Sequence, residues 1–324
     1  MRHALTRRTL LQLAGASSLA AAASFAAKAE GGPVAAPAAG PGFASRTPIR
    51  VGAAALKVRD IERVTSYYRD VIGLTVLARG AASVTLGTAE GALLTLEPKP
   101  GAALEPPTAA GLFHIAFLMP SRRDLARWLV HVARNQTPLT GFADHSVSEA
   151  VYLNDPEGNG IEVYADRPAE RWRWENGRVV MGTYRLDVDD ILSLTDTSTS
   201  DYSRAPDGLR IGHIHLRVGD VDAGDRFYRD LLGLGSTSRR DTASFLSSGG
   251  YHHHLALNTW NSAGAGRRDD GSAGLAWFSL MTEKPELMAA QADRFTAAGV
   301  ATTPLSGGFE SLDPWGTRVR LLQG

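Results

Sequence analysis

The chain has 324 residues, enough for two ordinary domains, and its 34 basic and 34 acidic residues cancel. That balance gives no general attraction to nucleic acid or an anionic membrane and leaves small molecules as the expected partners. Cysteine is absent, which excludes disulfides, thiolate metal sites and a cysteine nucleophile.

In chain order, Thr6-Arg7-Arg8-Thr9-Leu10-Leu11 places paired arginines before an apolar, alanine-rich run from Leu10 to Ala27. Ala27-Lys28-Ala29 then supplies an A-x-A cleavage pattern. These features predict a twin-arginine-type signal peptide over residues 1–29 and a periplasmic or extracellular location. No stable membrane association is expected once the signal is removed, and the lack of cysteine after the run excludes a lipid-anchored product. Residues 30–48, rich in Gly, Ala and Pro, predict a flexible leader.

Residues 51–74 read VGAAALKVRDIERVTSYYRDVIGL, and residues 211–234 repeat them without a gap as IGHIHLRVGDVDAGDRFYRDLLGL. Gly52, Leu56, Val58, Asp60, Tyr68, Arg69, Asp70 and Gly73 match Gly212, Leu216, Val218, Asp220, Tyr228, Arg229, Asp230 and Gly233. Each copy opens with strand alternation and changes to helical spacing after an aspartate cap. One mismatch carries chemistry: Ala53 stands where the copy has His213.

A second, weaker repeat lies beyond the first. Gly111-Leu112-Phe113-His114-Ile115-Ala116-Phe117 opens a strand followed by a helix from about Ser121 to Ala133. Gly274-Leu275-Ala276-Trp277-Phe278-Ser279-Leu280 opens another, followed by a helix from about Pro285 to Ala298. Both units finish on a D-P-x-G turn and a last strand, Asp155 to Tyr164 and Asp313 to Leu322. The fold class is therefore α+β, with four βαβββ modules at about 50–98, 110–166, 210–260 and 272–323. They group into two paired domains, 49–166 and 210–324, joined by a linker over 167–209.

The motifs I-x-H-x-x-L-x-V-x-D, F-Y-R-D-x-L-G-L and D-P-E-G-N-x-I-E resemble those of the vicinal oxygen chelate superfamily, which includes glyoxalases, fosfomycin resistance proteins and extradiol dioxygenases. The resemblance covers essentially everything after residue 48. It implies curved sheets around a metal, with ligands from the first and last strands of modules. At those positions the chain offers Ala53, His114, His213 and Trp277 on first strands, Glu162 and Arg320 on last strands, and Leu255 at the comparable place in module three. His114, Glu162 and His213 are the three that can ligate, with His215 as an alternative to His213. Two imidazoles and one carboxylate suit non-haem Fe(II), and the same set suits Mn(II). Because the ligands come from modules two and three, those inner modules are expected to share the metal. A single buried histidine is usually a hydrogen-bonded core residue, and the triad gains its weight from three residues at three family positions.

Gly250-Tyr251-His252-His253-His254-Leu255-Ala256 is similar to the HH-x-L-A segment of extradiol dioxygenases. Alternation from Leu255 selects His253 as the inward acid/base, with His252 and His254 pointing away as structural or exposed residues. Tyr152, ten residues before Glu162, is similar in spacing to the tyrosine that hydrogen-bonds a catecholate oxygen in that group, and His145 is a further candidate contact. Arg167, Trp172 and Trp174 in the linker are candidates to cover the pocket, with surface packing the alternative.

The resemblance thus implies an extradiol dioxygenase of the catechol 2,3-type, with a small aromatic diol and O2 as partners and room for a homo-oligomer. Its alternatives are another metal-dependent reaction on the same scaffold, glyoxalase-type isomerisation or epoxide opening, and a small-molecule-binding protein without catalysis. Leu255 argues against the metal-dependent alternatives, which use a second carboxylate at that place.

Overall fold

The computed structural model describes residues 42–324, so the expected export signal and residues 30–41 of the expected leader lie outside it. Module one comprises β1 (Arg50–Val58), a helix from Ile61 to Tyr67 that widens through Ile72, β2 (Thr75–Arg79), β3 (Val84–Thr88) and β4 (Gly91–Pro98). Module two comprises β5 (Gly111–Leu118), the helix Arg122–Arg134, β6 (Gly141–Asp144), β7 (Ser148–Asn154) and β8 (Gly160–Asp166). The linker carries the short pair β9 (Trp174–Glu175) and β10 (Arg178–Val179) and the helix Val188–Leu192. Module three comprises β11 (Arg210–Arg217), a helix from Val221 to Leu231, β12 (Gly235–Arg240), β13 (Ala243–Ser247) and β14 (Leu255–Asn258). Module four comprises β15 (Gly274–Thr282), the helix Pro285–Ala297, β16 (Thr302–Leu305), β17 (Gly308–Leu312) and β18 (Arg318–Gln323).

The helices begin where their caps dictate. Asp60, Ser121 and Asp220 each accept from the backbone N–H three residues on, at Arg63, Asp124 and Ala223. In the helix Arg122–Arg134, Leu125, Trp128, Leu129 and Val132 recur at helical spacing and are fully buried. Truncating Trp128 to alanine is expected to cost about 3–5 kcal/mol.

The modules form two eight-stranded sheets. One runs β12-β13-β14-β11-β5-β8-β7-β6 and joins modules three and two; the other runs β16-β17-β18-β15-β1-β4-β3-β2 and joins modules four and one. Each junction is an antiparallel pair of first strands, β5 with β11 and β1 with β15, while the first and last strands within a module run parallel. The inner modules therefore share a sheet, and each sheet takes one module from each half of the chain.

Consecutive modules are tied differently, through the two repeated motifs. The phenol of Tyr68 donates to Asp155 Oδ2 at 3.4 Å, and its counterpart Tyr228 donates to Asp313 Oδ2 at 2.8 Å. The other oxygen of each aspartate accepts two backbone N–H groups of its own turn, from Glu157 and Asn159 in one and Trp315 and Thr317 in the other. A buried tyrosine needs an acceptor and a buried carboxylate needs donors, so the F-Y-R-D and D-P-x-G motifs satisfy each other.

Two expectations are revised. Residues 43–48 are not a flexible leader: Phe43–Ser45 form a helical turn, Phe43 packs on Trp172 and Tyr251, and Thr47 Oγ1 lies 3.1 Å from His254 Nε2. Composition does not reveal that an aromatic pocket awaits Phe43. In the linker, Arg167 pairs with Asp144 at 2.7 Å and Glu149 at 3.0 Å, and Trp172 is buried against Tyr251 and His252 rather than lying over open space. Trp174 remains exposed.

Candidate metal centre

His213 on β11 pairs with Ala116 on β5, Ala116 with Glu162 on β8, and Glu162 with Tyr152 on β7, so four residues form one row across the inner sheet. The small Ala116 separates His213 from Glu162 and lets the two larger side chains converge above it. His114, two residues before Ala116 on β5, shares that face, and His215 lies directly opposite His114.

The arrangement brings three ligand atoms together. His114 Nε2 lies 3.0 Å from Glu162 Oε2, His213 Nε2 lies 3.2 Å from the same oxygen, and the two Nε2 atoms are 3.2 Å apart. All three side chains are buried. Donors held at roughly 2.1 Å around one face of an octahedral ion lie about 3.0 Å from one another, so the triad fits a divalent first-row metal.

The charges agree with that fit. Burial works against ionisation of Glu162, but His213 and His114 outweigh it and hold the carboxyl well below its usual range. Burial lowers His213 to about 4 despite the pull of Glu162, leaving a neutral imidazole. A carboxylate at Glu162 and a neutral ring at His213 are protonation states that a cation requires of such ligands. Nδ1 of His213 is buried without a hydrogen-bond partner among the described residues, and its ring lies against that of His253, centroids 4.1 Å apart and planes tilted by 48°.

Two β-bulges shape the floor. On β11 the register slips between Ile211 and His213, making Gly212 the extra residue. A Cβ on Gly212 would come within 1.9 Å of the Tyr164 hydroxyl oxygen, so only glycine fits there. On β5 the register slips between His114 and Leu112, and the extra residue is Phe113. Its ring reaches His114 at 5.3 Å, His215 at 4.7 Å and Trp260 at 5.3 Å, forming an aromatic wall beside the triad.

Tyr152 donates or accepts at 2.6 Å with His145 Nε2, and His145 Nδ1 lies 2.7 Å from the Gly182 carbonyl. The carbonyl can only accept, so Nδ1 of His145 carries a proton and its Nε2 is the nitrogen that meets the tyrosine hydroxyl. Burial, reinforced by Glu162, pushes the Tyr152 pKa well up. Tyr152, His145 and the triad thus form one cluster, with Tyr152 and His114 ring centroids 5.8 Å apart.

His253 reaches the site by a different route from the one expected. Ile214 pairs with Leu255 and His215 with Ala256, whereas on the other side Ile115 pairs with Ile161 and Ala116 with Glu162. Since His213 corresponds to His114, the position equivalent to Glu162 is Ala256 and not Leu255. Alternation from that strand does not orient His253, because Tyr251–His254 precede β14 and are not strand. The bend turns both His252 and His253 inward, with their Nδ1 atoms 2.8 Å apart. His252 and His254 are fully buried, so neither is a surface histidine. Burial, then His213, lowers the His253 pKa well below its usual value.

His215 belongs to the site in a role other than the alternative ligand considered from the sequence. Its ring meets His114 edge-on at 4.8 Å, and Asn258 Nδ2 faces its Nε2 at 2.9 Å. Asn258 Oδ1 accepts from the Trp260 backbone N–H at 3.2 Å, which fixes the amide orientation and makes His215 Nε2 an acceptor. Period-two spacing from His213 is the signal that places His215 on this face.

The outer sheet holds no such cluster among the described residues. Its equivalent positions are Ala53, Thr95, Trp277 and Arg320.

The chain belongs to the glyoxalase/bleomycin resistance protein/dioxygenase superfamily, whose model matches residues 50–163 and 210–320. It is 36% identical over 270 residues to the catechol-2,3-dioxygenase of Bacillus subtilis (strain 168), covering 82% of this chain and 93% of that relative. In fold it is similar to a crystal structure from Bacillus subtilis subsp. subtilis str. 168, with a TM-score of 0.60, 14% identity and 84% of each chain covered. It is also similar to glyoxalase I from Zea mays, with a TM-score of 0.53 and 17% identity over 87% of this chain and 94% of that one.

Proposed function

We propose that this protein is an Fe(II)-dependent extradiol dioxygenase that opens a catechol-type ring with O2, beside rather than between the two hydroxyl-bearing carbons. The observation that carries the reading is the convergence of His114, Glu162 and His213 within 3.2 Å of one another, in a chain 36% identical to a catechol-2,3-dioxygenase. Mn(II) suits the same donors. Bound there, the ion would supply the Lewis acidity and electron transfer that join a diol to O2.

The protein's own residues divide the remaining work. Three ligands on one side leave the other side of the ion for substrate. Phe113 and Trp260 offer ring faces and edges against which an aromatic ring packs. Tyr152, with its hydroxyl held by His145, positions a substrate oxygen, and His253 exchanges a proton with the diol. Ala256 supplies no carboxylate at the position equivalent to Glu162, which disfavours reactions that need a fourth protein ligand.

Anaerobic loading with Fe(II), followed by catechol and air, tests the reading. A yellow ring-opened product is expected from the parent and not from His114→Ala. Full turnover by Glu162→Ala would overturn it.

We further propose that the twin-arginine motif exports the protein already folded around its metal. Replacing Arg7 and Arg8 by lysine should retain it in the cytoplasm, as fractionation would show, and unimpaired export would count against this route.

A further inference from the structure

We infer that Asp166 and His252 are positioning residues that fix the tautomer of His253, presenting its Nε2 as an unprotonated base. The inference deepens the dioxygenase reading and rests on it only for what that base receives.

Asp166 ends β8, the strand that carries Glu162. Its Oδ1 accepts from the Tyr251 hydroxyl at 3.2 Å and faces His252 Nε2 at 2.9 Å. A carboxylate has no proton to give, so His252 Nε2 must be the donor. In a neutral imidazole the other nitrogen is then a bare lone pair. With His252 taken as the neutral ring, its Nδ1 faces His253 Nδ1 at 2.8 Å, where two lone pairs would repel, so His253 Nδ1 carries the proton; a His252 imidazolium would reverse the order and would be read out as Nε2–H on His253. That leaves Nε2 of His253 unprotonated, and it has no protein hydrogen-bond partner among the described residues.

The direction of the chain is locked by packing. His252 is fully buried, with the tilted ring of Tyr251 packed on it at 4.1 Å and Trp172 meeting it edge-on at 5.2 Å, contacts that oppose a turn of its ring and an exchange of nitrogens. The His253 ring packs at a tilt against that of His213, centroids 4.1 Å apart, and therefore lies beside the triad. The logic parallels an aspartate that holds the histidine of a serine protease in one tautomer, with a second imidazole inserted between them.

The test reads the tautomer directly. The full chain is labelled with 15N-histidine and loaded with Zn(II), which is diamagnetic and takes the same ligands. Two-bond 15N–1H correlations then identify the protonated nitrogen of each ring, with His253 assigned from its loss in His253→Gln. The expected result is Nδ1–H and a bare Nε2 on His253. Asp166→Ala should convert this to a mixture, and so should His252→Phe, which keeps an aromatic ring in the packing but offers no acceptor. Nε2–H in the parent, or an unchanged pattern in both variants, would overturn the inference. In the iron-loaded enzyme Asp166→Ala should lower kcat roughly 100-fold with KM unchanged; equal kcat would also overturn it. If the protein cleaves no diol, the spectra still decide the tautomer, so failure of the dioxygenase reading stays distinguishable.

Discussion

Arg320 lies over the indole of Trp277, 3.9 Å from the ring centroid, and the two occupy in the outer sheet the positions that Glu162 and His114 hold in the inner one. Arg320 is also paired with Glu310 at 2.8 Å. The same scaffold thus uses one set of positions to gather ligands and the other to stack a cation on a ring. Arg320→Met is expected to lower stability by about 0.5–1 kcal/mol and to leave the bound metal per chain unchanged. Denaturant titration and elemental analysis check the two halves of that statement, and loss of metal would refute the second.

Gly160 controls the separation of His114 and Glu162, two of the three candidate ligands, without being one. A Cβ there would come within 2.1 Å of the Phe113 carbonyl oxygen and 3.2 Å of His114 Cβ. Gly160→Ala must push β8 away from β5 and so move Glu162 from His114. The expected cost is about 1–3 kcal/mol, together with a large loss of metal affinity. Metal titration of the folded variant is the measurement, and unchanged affinity would show that the strands adjust.

Asn258 presents His215 as a neutral ring with its proton on Nδ1. Asn258→Leu removes the donor to a buried nitrogen and is expected to cost about 1–3 kcal/mol. Because His215 meets His114 and the Phe113 wall, the variant should also raise KM for the diol more than it lowers kcat. Steady-state kinetics separate the two, and an effect confined to kcat would place His215 in the chemical step instead.

Acid should act through His254. Burial lowers its pKa to about 3, while the unfolded chain titrates near 6.5, so the unfolded state binds more protons between those values. Its contribution is therefore complete above pH 6.5 and is lost as pH falls toward 3, at up to about 1.4 kcal/mol per pH unit. His254→Gln should flatten the pH dependence of stability relative to the parent. Denaturation midpoints from roughly pH 7 to pH 4 test this, and parallel curves would argue against it.

The modules and the triad were legible because both are written locally. Tyr68, Asp155, Tyr228 and Asp313 mark the repeat because each must satisfy a buried partner, and the mismatch of Ala53 with His213 marks which copies can ligate. What depends on register was not legible. Leu255 was expected where Ala256 stands, since the strand begins only after the bend that carries His252 and His253. The bulge that turns Phe113 toward His114 leaves no mark in the side-chain pattern. Nor does composition reveal that Phe43 and Thr47 seal the back of the histidine run. His252, expected to face away, touches His253 and so cannot serve as a neutral control in activity tests.

The pairing of modules also sets an order in time. The sheet that carries the triad is built from consecutive modules, so all its strands are synthesised before β15. The outer sheet must wait, because Val51 near the start of the fold pairs with Leu280 near its end. Closing so long a loop is slow, and β1 stays an unpaired edge until it happens. During synthesis, the sheet without the His–Glu–His cluster is the one exposed to mispairing for longer, while the strands of the other sheet are complete earlier.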